Sequence, residues 1–119
     1  MTLPMDIAET YQRGFELRCE GRYREATVEL QKVLASDPNH CEAQWQLGLI
    51  QGFEGDFDGS MATLERVCRQ FPSHTGARYD LAMTQMMLGM ADEACANFHE
   101  VLRLDPNHEN AKRQIVYCG

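Results

Sequence analysis

The chain has 119 residues, enough for one compact domain, and its 18 acidic residues against 11 Lys and Arg give a net charge of −7. That sign excludes a nucleic-acid backbone or an anionic membrane surface as an expected partner and suits a basic or amphipathic polypeptide. No apolar run approaches the length of a membrane span, and the opening MTLPMDIAET lacks the charged and apolar segments of a signal peptide, so no membrane insertion and a cytoplasmic location are expected.

In chain order the sequence divides into three units of equal length, about 7–40, 41–74 and 75–108, with 109–119 left as a short closing helix of a single 1–119 domain. Pro38, Pro72 and Pro106 are each 34 residues apart, and so are Gly21, Gly55 and Gly89, and His40, His74 and His108. The same interval relates Ala26, Ser60 and Ala94, then Leu30, Leu64 and Phe98, then Val33, Val67 and Val101. A period shared by six positions identifies a repeat architecture before any local assignment is made.

The first unit begins near Ile7, turns at Gly21 and runs through YREATVELQKVLASDPN to the first proline turn. In the second, Ala43, Leu47 and Ile50 recur at helical spacing before Gly55, and Met61, Leu64, Val67 and Cys68 do so after it. The third repeats the plan around Gly89. Each unit therefore predicts two helices, the glycine supplying the left-handed residue that ends the first and the proline stopping the second. Asn39, Ser73 and Asn107, directly after the prolines, are the expected N-caps of the following helices, with Glu42 at the capping-box offset from Asn39.

The second helices YREATVELQKVLASDPN, FDGSMATLERVCRQFPS and ADEACANFHEVLRLDPN carry small, bulky and proline positions in the order of the tetratricopeptide repeat, and the chain resembles that family over residues 7–108. In the first helices the family's small residue is matched by Gly14, Gly48 and Ala82, while the usual large apolar residue four places earlier is replaced by Thr10, Gln44 and Arg78. The resemblance implies an all-α fold, a right-handed solenoid of three helical hairpins plus a short C-terminal helix, with the first helices lining the concave side.

The concave positions of the family fall here on Tyr11, Phe15, Arg18 and Cys19, then Trp45, Leu49, Gly52 and Phe53, then Tyr79, Met83, Met86 and Met87. Independently of the family, Trp45, Leu49 and Phe53 form one helical stripe and Ala43, Leu47 and Ile50 another, so this helix is apolar on two faces. The second stripe is either ordinary core or an open groove for an amphipathic helix or peptide. Tyr11, Phe15, Trp45, Leu49, Phe53, Tyr79, Met83, Met86 and Met87 are the candidate partner-binding residues, with Met90 adding to a flexible methionine cluster.

The resemblance also implies a test. Family members that clamp the C-terminal carboxylate of heat-shock chaperones do so with Lys, Asn and Arg, whereas the matching positions here are Tyr11, Phe15, Gln46, Gly76 and Asp80. None is cationic, so that role is not expected, and Glu42 and Asp80 favour a protein or peptide that is apolar with basic flanks.

The five cysteines show no C-x-x-C pair and read as reduced thiols rather than a disulfide framework or a zinc site. His40 beside Cys41, with His74 and His108 in register, invites a metal reading, but equivalent helices stand about 8–10 Å apart and metal–nitrogen bonds are about 2 Å, so no metal is expected. No phosphate loop, G-x-S-x-G or H-E-x-x-H occurs, so neither a catalytic site nor a cofactor is expected. Ile115, Val116 and Tyr117 end the chain on an apolar note, which makes a homo-oligomer through the C-terminal helix the main rival expectation. The expected role is a protein-interaction module or adaptor; a self-associating scaffold and a secretion or assembly chaperone are the alternatives.

Overall fold

The computed structural model describes residues 5–119; residues 1–4, the start of the expected domain, lie outside them. Among the described residues there are seven α-helices: α1 Ile7–Cys19, α2 Tyr23–Ser36, α3 Cys41–Phe53, α4 Phe57–Gln70, α5 Thr75–Met87, α6 Ala91–Leu104 and α7 Glu109–Ile115, with a 3₁₀ turn Val116–Cys118 closing the chain. Helices pair as α1 with α2, α3 with α4 and α5 with α6, and each pair packs on the next. The radius of gyration is 15.3 Å, above the roughly 13.5 Å of a compact globule of this length, as stacking along one axis requires.

The hairpin turns form as the spacing predicts. Gly21, Gly55 and Gly89 take φ of 79°, 88° and 77°, a backbone region that costs other residues steric strain. The amide after each glycine reaches back to the helix it closes, as in Arg22 N donating to Leu17 O at 2.9 Å and Asp56 N to Gln51 O at 2.8 Å, while the glycine's own amide bonds the next carbonyl. This double bond satisfies carbonyls that the helix end leaves free.

The proline turns correct the sequence expectation. The caps are not Asn39, Ser73 and Asn107 but the next residues: Nδ1 of His40, His74 and His108 accepts the amides of Ala43, Ala77 and Ala111 at 3.0, 2.9 and 3.0 Å. The reason is that each proline turn is a full β-turn, with His40 N donating to Asp37 O at 3.1 Å and Asp37 Oδ1 accepting Asn39 N. Asn39 is consumed inside the turn and the helix starts one residue later.

The three in-register rows form the core. Ala26, Leu30 and Val33, then Ser60, Leu64 and Val67, then Ala94, Phe98 and Val101 are all buried. Each large apolar side chain of these rows contributes about 1.5–3 kcal/mol through burial. Where the family's large apolar residue is missing, polar side chains make hydrogen bonds instead, two to the turn before their helix and one across to α6. Thr10 Oγ1 donates to Asp6 O at 2.9 Å, Gln44 Nε2 to Pro38 O at 2.7 Å, and Arg78 Nη1 to Asn97 Oδ1 at 3.1 Å.

The cysteines depart from the expectation of five reduced thiols. Cys95 on α6 is disulfide-bonded to Cys118 in the closing turn, with Cα atoms 5.7 Å apart, while Cys19, Cys41 and Cys68 are free. The pairing arises because α7 folds back on α6 and sets Ile115 and Cys118 against the Ala82, Ala94 and Phe98 cluster. Burial pushes the Cys68 thiol pKa up, so that sulfur is a poor nucleophile.

Candidate functional site

The predicted groove residues lie on α1, α3 and α5, and they divide by what they touch. Tyr11, Trp45 and Tyr79 each lie against the imidazole that caps the next odd-numbered helix: Tyr11 on His40 with ring centroids 5.2 Å apart, Trp45 on His74 at 4.6 Å, Tyr79 on His108 at 5.1 Å. One ring pair thus fastens each junction between units. These three candidates serve the stacking of the solenoid as well as its surface.

Leu49, Phe53, Met83 and Met87 instead line a cavity of about 300 Å³ together with Gly52, Phe57, Ser60, Leu64, Asp80 and Thr84. Phe53 and Met87 are 55% and 65% exposed, so a large apolar surface faces solvent at its rim. Phe15 sits beside Tyr11 and under the guanidinium of Arg18, whose Nε donates to Gln46 Oε1. Met86 turns inward, packing on the Ala82 and Phe98 cluster. Phe57 was not among the sequence candidates: it starts α4, a second helix, and no first-helix pattern points to it.

Asp80 is the charged group in this wall. Trp45 Nε1 donates to its Oδ2 at 2.7 Å, and no Lys or Arg among the described residues forms an ion pair with it. Burial raises its pKa above the usual aspartate range, against the lowering effects of the Trp45 bond and of His74, Arg18 and His108 nearby.

Cys41, Glu42 and His74 place a sulfur, a carboxylate and an imidazole within 4.8 Å of one another. They do not fit a metal ion. His74 Nδ1 already accepts the Ala77 amide, which puts the ring proton of the neutral imidazole on Nε2, facing Glu42 Oε1 at 3.1 Å. A ligating imidazole has the opposite arrangement, with its second nitrogen donating.

At the chain end Ile115 is half-buried, whereas Val116 and Tyr117 are 75% and 78% exposed. No described helix is long and apolar enough to cross a membrane.

Hairpins joined by one repeated contact define an all-α repeat solenoid of the kind that serves protein interaction. More particularly, the Tetratricopeptide repeat family pattern matches residues 54–115, and the chain belongs to that family. Among solved structures it is similar to MamA from Desulfovibrio magneticus RS-1, with 23% identity and a TM-score of 0.83 over 95% of this chain and 64% of that one. The first TPR of Spaghetti (RPAP3) bound to the HSP90 peptide SRMEEVD is similar at 19% identity and TM-score 0.88, over 94% and 89% of the two chains. YrrB, a TPR protein with an unusual peptide-binding site, is similar at 22% identity and TM-score 0.83, over 93% and 57%. The chain thus spans less than two thirds of the MamA and YrrB chains it matches. No curated protein matches it in sequence.

Proposed function

We propose that this chain is a non-catalytic interaction module that receives a segment of a partner protein on its concave face. The observation that carries the reading is the cavity between α3, α4 and α5, where Leu49, Phe53, Phe57, Met83 and Met87 form an apolar wall open to solvent. Burying a partner's apolar side chain there removes water from both surfaces, and the unbranched methionines can adapt to the shape presented. Two similar folds bind peptides, RPAP3 an HSP90 peptide and YrrB a peptide at an unusual site, which supports the kind of partner. An acidic C-terminal peptide suits this chain poorly, because Asp80 occupies the cavity wall.

A second reading is self-association through the closing turn, favoured by the exposure of Val116 and Tyr117 beside the half-buried Ile115. One experiment separates the two. A photocrosslinking amino acid introduced at position 87 in the source cell yields an adduct with a different protein if the groove reading holds. A Phe53→Ser, Met87→Ser double variant with unchanged circular dichroism then loses that adduct. An adduct only with the chain itself, abolished by Val116→Asp, overturns the groove reading in favour of self-association.

A further inference from the structure

The wall of the concave cavity contains a carboxylate that the fold itself does not explain. Asp80 stands where the preceding unit has Gln46, 34 residues earlier, a buried neutral side chain in the same register. A neutral amide in its place could accept the indole N–H of Trp45 equally well, so the hydrogen bond at 2.7 Å does not require a charge. Withdrawing a carboxylate from water without a cation to face it costs free energy that an amide avoids.

No Lys or Arg among the described residues forms an ion pair with that carboxylate. Arg18 is the guanidinium whose charge acts on Asp80, yet it forms no ion pair with it: its Nε is committed to Gln46 and its Cζ lies 5.3 Å from the centre of the Phe15 ring. His74 and His108 form no hydrogen bond with Asp80, and each holds a helix N-terminus through Nδ1. The carboxylate is also fixed in place: Trp45 holds one oxygen, while the other accepts from no side chain among the described residues. Around it the cavity is apolar, with Leu49, Phe53, Phe57, Met83 and Met87. A positioned anion in an apolar wall is complementary to a cation carried on an apolar stem. The net charge of −7 favours approach of a basic ligand from solution.

We propose that Asp80 is the specificity-determining group of this cavity, pairing with a Lys or Arg that the partner segment carries beside the apolar side chain it buries there. This rests on the concave-face reading above and adds to it the chemistry of the ligand. Arg fits best, since its planar guanidinium can bind the free oxygen while its methylenes pack on Met83 and Leu49.

The test uses the full chain and two labelled amphipathic helical peptides of identical Leu and Ala content, one with Arg and the other with Gln at the positions flanking the apolar face. Calorimetry and label anisotropy compare wild type with Asp80→Asn and with Glu93→Gln, which removes one exposed charge on α6. The wild type should bind the Arg peptide about tenfold to a hundredfold more tightly than the Gln peptide, the difference expected of one charge-assisted bond. Asp80→Asn should abolish that preference and Glu93→Gln should retain it. A preference that survives in Asp80→Asn, or that both variants reduce equally, overturns the proposal. Equal, tight binding of both peptides by wild type overturns it while leaving the concave-face reading intact, and binding of neither overturns both.

Discussion

Trp45 and Gly76 are in contact across the junction of two units: a Cβ built on Gly76 would lie 2.8 Å from Cζ2 of the indole. The ring cannot slide away freely, because its Nε1 is bonded to Asp80 and it meets His74 edge-on. Gly76 is inside α5, where alanine normally improves helix stability by up to about 1 kcal/mol. Here Gly76→Ala should instead destabilise by about 1–3 kcal/mol through overpacking. Urea unfolding measures it, and in a Trp45→Leu background the same substitution should become neutral or stabilising.

His74 holds two structures at once, the start of α5 and the face against Trp45. His74→Ala removes both and should cost about 2 kcal/mol in chemical denaturation. His74→Asn restores a capping acceptor without the ring and should recover about half of that loss. Equal losses for the two variants would mean that the cap contributes nothing.

The charge on Asp80 makes stability depend on pH. Burial raises the folded-state pKa above its unfolded value, so between the two the folded chain binds more protons than the unfolded one. Stability attributable to this group therefore falls as pH rises through the usual aspartate range toward the raised value, and stays lower above it. Asp80→Asn keeps an acceptor for Trp45 and removes the titration. Its melting temperature should exceed that of wild type at neutral pH, and the gap should shrink on acidification. The difference between the two melting curves isolates this group from carboxylates common to both.

The Cys95 to Cys118 bond closes a loop of sequence separation 23. By chain entropy that closure contributes about 3 kcal/mol. Cys118→Ser should lower global stability by up to that amount, and hydrogen exchange should quicken first in residues 109–118. A protection pattern unchanged in that segment would show that packing of Ile115 alone holds it.

The repeat, its helical hairpins and its glycine turns were legible because each depends on one residue type at a fixed interval: Gly21, Gly55 and Gly89 must be where φ turns positive. The N-caps were misplaced by one residue. Asparagine is the better cap by intrinsic preference, but the Asp-Pro-Asn-His turn uses it internally and hands the cap to histidine. The pairing of Tyr11, Trp45 and Tyr79 with His40, His74 and His108 was hidden, although both series share the repeat interval, because their contact depends on how successive hairpins lean. The disulfide was illegible for a similar reason: it depends on α7 folding back on α6, which no cysteine spacing encodes. Of the residues lining the cavity between α3, α4 and α5, Leu49, Phe53, Met83 and Met87 belong to the first-helix positions singled out in the sequence. Phe57 enters from the opposite helix of the hairpin and breaks no sequence rule that would expose it.

The ring pair at each junction makes the chain a set of interchangeable links. Every unit offers an aromatic side chain on its first helix and ends in the imidazole that caps the helix after it, so each boundary is closed by the same pair of rings. Growth by duplication therefore needs no new interface: a second copy of residues 41–74 spliced in behind the first would carry its own Trp45 and its own His74 to cap the helix that follows. Selection is then free to alter the cavity-lining positions of each copy, such as Leu49, Phe53, Met83 and Met87, because the ring pair that fixes their order does not include them.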